Sequence, residues 1–293
     1  MKKWTKNTLN IVLQFIMDTL KFTIYILKLI NQNSFKNKLC QEYTGIAAVL
    51  ANGPSLNEEL PRLSDAEEFQ GVDFIVLNLF AFEEIFFRIR PKHYCLADPM
   101  FFKNSHRIES VLKLYDILEN RVNWDLNIYI PAERYKDFIS FSGILNEKLK
   151  IVKINMIDFN GYNNLRNYFY RKNLSTPHVQ NISNLAIYVA INLGYTEVRL
   201  YGVDHTFFDI SVNEQNQLCY MESHFYDKKQ PVLKPIKNNE TDQLMKTSEY
   251  LNAILKMFQS HDLLENYAKY RNVKIFNFTK CSMIDSYERK KTI

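Results

Sequence analysis

Short apolar runs recur along most of this chain, and segments of helical length separate most of them. Runs that alternate with helices in this way predict a mainly parallel β-sheet with helices on both faces. The expected fold class is therefore α/β. The runs occupy residues 45–51, 73–78, 93–97, 126–130, 149–154, 197–203 and 273–278.

Two later segments depart from this alternation. Residues 205–245 have no strong helical period and are rich in Asn, Asp, Lys and Tyr, so we expect a lid or an inserted subdomain there. A long amphipathic helix is predicted within residues 241–271.

Residues 9–30 are mostly apolar, but polar side chains recur among them at helical spacing. At about 100° per residue these side chains fall within an arc of about 80°, which predicts a helix with a narrow polar stripe. The stripe consists of Asn10, Gln14, Asp18, Lys21 and Lys28.

Three interpretations of this helix stay open. An in-plane helix on the cytoplasmic leaflet of a membrane is favoured, because lysines flank the apolar run on both sides. A helix packed on its own domain or on a second subunit is the main alternative. A spanning anchor is disfavoured, because Asp18 and Lys21 at its centre would cost several kcal/mol. The flanking lysines are Lys2, Lys3, Lys6, Lys36 and Lys38.

Composition narrows the functional classes. Of the 293 residues, 46% are hydrophobic, which is enough to bury a full core. The formal net charge of +5 suits an anionic substrate or membrane surface but is too small to indicate nucleic-acid binding. The four cysteines are scattered, without a Cys-x-x-Cys pair or a His at ligand spacing, so we expect reduced cytoplasmic thiols and no zinc site.

The stretch ANGPSL, residues 51–56, follows the first predicted strand, where ligands of open parallel sheets collect. Gly53 would permit a positive φ or a close ligand approach, and Pro54 would stiffen the turn. Ser55 would cap a helix, with Glu58 as its capping-box partner. The N-terminus of that helix is a predicted anion site, although a capping box after a strand needs no ligand.

Four motifs follow one another in order: NGPSL at 52–56, VLNLF at 76–80, ADPMFF at 97–102 and ISNLAIYVAINLGYTEVRLYGVD at 182–204. Together they resemble the bacterial lipo-oligosaccharide sialyltransferases over about residues 45–205. The resemblance implies a single Rossmann-like (GT-A-like) domain. The Gly-Pro-Ser-Leu and Gly-x-Asp elements are also similar to a pterin diphosphokinase-like domain.

The resemblance implies an inverting glycosyltransferase whose donor is a CMP-activated nonulosonic acid. In that family two strand-end asparagines hold the nucleotide, which points to Asn52 and Asn78. Asp98 stands where the family has a third Asn, which leaves the donor sugar open. Asn181, Ser183 and Asn184 lie at the predicted start of the helix before the sixth strand, where they could contact phosphate or ribose. Ordinary helix capping is the alternative role for them. The full predicted nucleotide-sugar set is Asn52, Gly53, Pro54, Ser55, Asn78, Asp98, Asn181, Ser183, Asn184, Gly202 and Asp204.

The transfer needs stabilisation of the leaving group and a general base. CMP leaves as a phosphate monoester, which two Tyr hydroxyls can stabilise without a metal. Tyr220 and Tyr226 resemble the family's lid tyrosines in placement, and packing in a hairpin is the alternative. The family's lid base has no counterpart by position, so His224 in the lid is the favoured base on residue type, His205 the second candidate, and a water, carboxylate or other residue the remaining alternative. The chain contains no Asp-x-Asp triplet, so we expect no metal and no other cofactor.

The expected function is transfer of a nonulosonic acid to a lipopolysaccharide or capsule glycan by an enzyme peripheral on the inner face of the bacterial inner membrane. Its partners would be the CMP-sugar and a glycan or glycolipid acceptor, and a homo-oligomer is possible. Two alternatives stay open: a transferase that uses CMP-Kdo or another nucleotide sugar, and a diphosphokinase-like nucleotide-binding protein.

This function divides the chain into four segments. They are residues 1–44 (amphipathic helix and linker), 45–204 (nucleotide-sugar-binding core), 205–245 (lid or acceptor segment) and 246–293 (C-terminal helix and strand).

Overall fold

The computed structural model describes residues 2–63, 67–104, 107–221, 233–238 and 241–290. The strands in these ranges are β1 (Ile46–Leu50), β2 (Val72–Leu77), β3 (His93–Cys95), β4 (Leu126–Pro131), β5 (Leu149–Ile154), β6 (Glu197–Tyr201), β7 (Ile210–Val212), β8 (Leu218–Met221), β9 (Leu233–Pro235), β10 (Lys274–Asn277) and β11 (Glu288–Arg289). Eight of them form one sheet in the order β11-β10-β6-β1-β2-β3-β4-β5, in which every neighbouring pair is parallel. The predicted α/β fold with a mainly parallel sheet is confirmed.

The helices of the described ranges cover both faces of the large sheet. They are α1 (Lys2–Asn31), α2 (Leu56–Glu59), α3 (Ile85–Ile89), α4 (Ile108–Asn120), α5 (Tyr135–Ser142), α6 (Arg166–Arg171), α7 (Ile182–Leu193) and α8 (Thr247–Tyr270). Successive side chains of a strand point to opposite faces, so Ala48 and Leu50 of β1 pack with residues of α4 and α5. Ala47 and Val49 pack with α7 and α8.

The apolar runs located the sheet well. Each of the seven predicted strands is present, and its ends differ from the predicted ends by no more than two residues. The predicted long helix is α8, Thr247–Tyr270. The sequence pattern did not indicate β7, β8, β9 or the two-residue β11, because such short strands carry too few positions for a periodicity.

The strand order creates a crevice between β1 and β6. The chain leaves β1 toward β2 on one side and leaves β6 toward β10 on the other, and such a reversal opens a cleft at the carboxyl ends of the strands. The C-terminus of α7 lies at the opposite edge, because the Tyr43 amide near the start of β1 donates to the Leu193 carbonyl over 3.1 Å. The N-terminus of α7 therefore lies at the carboxyl edge, beside the crevice.

The segment predicted as a lid contains a small antiparallel sheet in the order β7-β8-β9. This sheet packs on the N-terminal half of α8 around a buried cluster of Ile236, Tyr250, Ile254 and Met257. The Tyr250 hydroxyl donates to the Phe207 carbonyl over 2.6 Å and joins α8 to the segment that leads into β7.

Helix α1 contacts the rest of the protein along one face of its C-terminal half. Tyr25 and Leu29 are buried there, with Phe22 and Ile26 partly buried beside Phe169. The following linker is anchored by a 2.7 Å hydrogen bond from the Asn37 amide to Asn155. Among the side chains of α1 that the structure describes, residues 7–31, eleven large apolar ones are exposed: Leu9, Ile11, Val12, Leu13, Phe15, Ile16, Met17, Leu20, Ile24, Leu27 and Ile30.

Candidate functional site at the carboxyl edge of the sheet

The loops after β1 and β6 are joined by hydrogen bonds, and we call this contact the loop junction. The Gly53 amide donates to the Gly202 carbonyl over 2.9 Å. The Ser55 hydroxyl donates to Asp204 Oδ2 over 2.8 Å, and the Ser55 amide lies 3.3 Å from Asp204 Oδ1. A Cβ on residue 53 would lie 1.8 Å from Asp204 Oδ2. The close approach that requires a glycine at position 53 is therefore made by the protein's own carboxylate.

The predicted capping of α2 by Ser55 is wrong. The Ser55 backbone is helical, with φ of −63°, and its side chain makes no cap hydrogen bond but donates to Asp204. Glu58 pairs with Lys280 at 3.3 Å. Helix α2 has four residues, so its macrodipole is too small for the predicted anion site at its N-terminus. Pro54 is exposed in the turn.

Four of the predicted nucleotide-binding residues carry buried polar atoms that have no hydrogen-bond partner among the described residues. These atoms are Asn52 Oδ1, Asn78 Oδ1, Ser183 Oγ and both amide atoms of Asn184. A buried polar group without a partner costs about 1–3 kcal/mol, and folded proteins contain few of them. Asn52 and Asn78 follow β1 and β2, and Ser183 and Asn184 lie in the first turn of α7, so these groups lie toward the carboxyl edge of the sheet.

The strand register brings Asn52 and Asn78 side by side. Leu50 of β1 pairs with Val76 of β2, so the same offset sets Asn52 opposite Asn78, two residues beyond each partner. Neighbouring strands lie about 4.8 Å apart, so both residues follow adjacent strands at the same edge of the sheet. Asn78 also has a left-handed backbone, with φ of 49°, and its carbonyl accepts a hydrogen bond from the Tyr94 hydroxyl.

The first turn of α7 completes this group. Ser183 is 0% exposed and Asn184 is 1% exposed, and α7 packs against β1 and β2. Asn181 is a helix cap, as the alternative to ligand binding had it: its side chain caps α7 by accepting a hydrogen bond from the Ser183 amide over 2.9 Å. Asp98 likewise caps a 3₁₀ turn, Pro99–Phe101, by accepting from the Met100 amide over 3.1 Å.

The residues of the loop junction form hydrogen bonds with one another, which occupies their polar groups. Gly202 has a φ of 68°, and a Cβ there would lie 2.9 Å from the Ala51 carbonyl oxygen. Burial raises the pKa of Asp204, and the hydrogen bonds from Ser55 oppose this shift. Of the eleven predicted binding residues, Asn52, Asn78, Ser183 and Asn184 thus have atoms left for a ligand.

The second candidate base, His205, is buried in the core. Its Nε2 lies 3.1 Å from Nε2 of His261, and His261 Nδ1 lies 2.9 Å from the Tyr287 hydroxyl. Burial lowers the pKa of His205 to about 3. An acceptor hydroxyl could reach this ring only by displacing packed side chains such as Phe258, so the structure argues against His205 as the base.

The lid candidates are described only in part. Tyr220 lies on β8, opposite Ile210 and Lys234, and its ring packs against the cluster around Ile236. Packing, the alternative reading for Tyr220, is therefore what the structure supports. His224 and Tyr226 lie outside the described residues.

An ion pair that the sequence did not single out lies at the same edge of the sheet. His178 Nδ1 is 2.9 Å from Asp158 Oδ2, and the hydrogen bond to Asp158 raises the pKa of His178, with burial opposing it. The two residues line a cavity next to α1. Their separation of 20 residues gives no local motif, so only the fold reveals the pair.

The fold defines a class: a Rossmann-like α/β protein, in which buried polar atoms without a partner among the described residues lie near the carboxyl ends of β1 and β2. Neither a protein-family model nor a curated protein sequence matches the chain.

Proposed function

We propose that this protein is a sialyltransferase-like inverting glycosyltransferase, which transfers a nonulosonic acid from a CMP-sugar to a lipopolysaccharide or capsule glycan. The observation that carries the proposal is the group of buried, unpartnered polar atoms of Asn52, Asn78, Ser183 and Asn184. They belong to three of the four motifs on which the resemblance rests, and two of them are the residues that hold the nucleotide in that family.

Each member of the group would have a separate task. The Asn52 and Asn78 amides at neighbouring strand ends would bind the cytidine and ribose groups. Ser183 and Asn184 in the first turn of α7 would meet the phosphate, where amides and helix dipole favour negative charge. The loop junction would hold the Asn52 turn in position without contacting the ligand itself.

The catalytic groups proposed in the lid rest on the residue type of His224 and, for Tyr226, on the resemblance. His224 is the proposed base and Tyr226 the proposed leaving-group donor, since His205 is buried and Tyr220 packs against its own sheet. No metal and no other cofactor is proposed, because CMP is a monoester leaving group that side-chain hydroxyls can stabilise.

Helix α1 would hold the enzyme on the inner face of the membrane. Residues 22–29 pack on the core, and the Thr19 hydroxyl lies 2.6 Å from the Tyr162 hydroxyl, whose ring also contacts Phe15. Only residues 7–14 of the described apolar helix lie beyond these contacts. This free length is about 12 Å, whereas a spanning helix must cross about 30 Å of hydrocarbon. An in-plane helix, with its apolar side in the bilayer, fits this length better than a spanning anchor.

A nucleotide panel tests the proposal. We expect CMP to raise the melting temperature more than CDP, UMP, UDP or ATP does, because the site is proposed to hold one phosphate. With an acceptor extract, CMP-linked nonulosonic acids should be consumed and UDP-sugars should not.

Two other results would change the assignment. Consumption of CMP-Kdo or of a nucleoside diphosphate sugar alone would identify a different transferase. Metal-dependent turnover of ATP, without any CMP effect, would identify a diphosphokinase-like protein and overturn the proposal.

A further inference from the structure

A cavity of about 410 Å³ lies between α1 and the loop that follows β5. Its volume is within the range of small-ligand sites, and it contains none of the predicted nucleotide-binding residues. Lys21, Ile24, Tyr25 and Lys28 line it from α1, and Asp158, Asn160, Thr176 and His178 line it from the core.

The charges of this cavity favour an anion. Lys21 and Lys28 are seven residues apart and project from the same side of α1, about 10 Å from each other along the helix axis. The Asp158 carboxylate, which lies 2.9 Å from His178, is the one acidic side chain of the lining. The two lysines outnumber it, so the lining carries a net positive charge.

The cavity reaches the exposed apolar side of α1. At about 100° per residue, Leu20 and Leu27 point away from the packed face of Tyr25 and Leu29, and the two lysines project between these faces. Ile24 lines the cavity although it is 59% exposed, so it joins the cavity to the apolar side. If the apolar side lies in a bilayer, the lysines stand at the level of the lipid phosphates.

We propose that this cavity binds the phosphate-bearing headgroup of an anionic membrane lipid. Lys21 and Lys28 contact the phosphate, while Asn160, Thr176 and the Asp158–His178 pair contact hydroxyl groups of the headgroup. Val179 also lines the cavity and lies two residues before Asn181, the cap of α7. The cavity thus comes within two residues along the chain of the start of α7. Under the proposed function the bound lipid would also be the glycan acceptor; this role rests on the proposed function, whereas the binding does not.

The test compares two double variants of the full chain with the same change in charge. Lys21→Gln/Lys28→Gln removes the cavity lysines, and Lys36→Gln/Lys38→Gln removes two exposed lysines outside the cavity. Binding is measured by co-sedimentation with vesicles of phosphatidylcholine alone and of phosphatidylcholine mixed with phosphatidylglycerol. All substituted lysines are exposed, so unchanged melting temperatures are expected and serve as the folding control.

We expect the cavity variant to lose about tenfold more affinity for anionic vesicles than the control variant, since a bound phosphate gains more from a lysine than a diffuse surface potential does. Both variants should keep the wild-type affinity for neutral vesicles, to which the apolar side of α1 binds. Equal losses of affinity for anionic vesicles in the two variants would mean that Lys21 and Lys28 act only through general electrostatic attraction, which would overturn the proposal.

Two further arms separate the other occupants. Inorganic phosphate at matched ionic strength should not displace the wild type from anionic vesicles, and complete displacement would indicate a site for soluble phosphate instead. A stable dimer that does not bind any vesicle would assign the apolar side of α1 to a second copy. The CMP-induced melting shift should be the same in the cavity variant and the wild type, so a failure of the proposed nucleotide function is seen separately.

Discussion

Two buried asparagines on α7 differ in what surrounds them. Asn192 donates to the Tyr188 carbonyl over 3.1 Å and accepts from the Tyr267 hydroxyl over 2.9 Å. Asn184, two turns earlier on the same helix, has no partner for either amide atom among the described residues. Asn192 therefore stabilises the fold, whereas Asn184 is the amide that the proposed function assigns to the ligand.

The first prediction follows from this pair. Asn184→Leu should leave the free energy of unfolding unchanged or raise it by up to about 2 kcal/mol, because it removes an unsatisfied buried amide. The same substitution should abolish the CMP-induced melting shift. Asn192→Leu should lower the free energy of unfolding by about 1–3 kcal/mol and keep the CMP shift in the protein that still folds.

Urea unfolding and thermal shift with CMP measure both quantities. Equal destabilisation by the two substitutions, with CMP binding intact in Asn184→Leu, would show that Asn184 has a structural role only.

At the scale of elements, the loop junction couples two strands that are adjacent in the sheet and far apart in sequence. Ser55 and Asp204 are separated by 149 positions, yet their contact sets the path of the loop after β1. A glycine at position 53 is needed because the junction leaves no room for a side chain.

Gly53→Ala should therefore lower the free energy of unfolding by about 2–3 kcal/mol, as overpacking typically does. Gly71→Ala is the matched control: Gly71 has a φ of 73°, and a Cβ there would meet no atom within 4 Å, so only backbone strain of about 1 kcal/mol applies. Chemical denaturation of both variants checks the difference, and equal losses would contradict the packing explanation.

The elements also show where sequence reasoning succeeded. The seven strands of the large sheet were predictable because each apolar run is set by its own neighbours and by burial on both faces. The strands β7, β8 and β9 were not, since their burial depends on α8 more than 25 residues away from β7. The positions of Asn52 and Asn78 at the ends of adjacent strands were predictable from the sequence, and their role stays a prediction, whereas the role of Asp204 depended on its pairing with Ser55.

At the scale of the whole molecule, buried histidines couple folding to pH. Burial lowers the pKa of His93 to about 4, and the His93 ring bonds the hydroxyls of Tyr195 and Tyr129 at 2.8 and 3.0 Å. The unfolded chain, with a His pKa near 6.5, binds the proton more readily than the folded protein does. Stability is therefore complete above pH about 6.5 and falls as the pH decreases toward about 4.

From these values His93 alone should cost the wild type about 2 kcal/mol of unfolding free energy between pH 7 and pH 5. His93→Gln should be less stable at pH 7 but should lose about 2 kcal/mol less over this interval. Urea unfolding at both pH values measures the slopes. Parallel slopes in the variant and the wild type would mean that His93 is not the titrating group.

The sequence by itself determined the parallel α/β architecture, the positions of its strands and the amphipathic α1, because these depend on periodicity among near neighbours. It also indicated Asn52 and Asn78, because residues after parallel strands meet at one edge. Tertiary structure alone decided that Asp204 holds Ser55, that His205 is buried, and that Lys21 and Lys28 share a cavity with Asp158 and His178. The physical reason is that strand order and helix docking join distant residues, which local patterns do not encode.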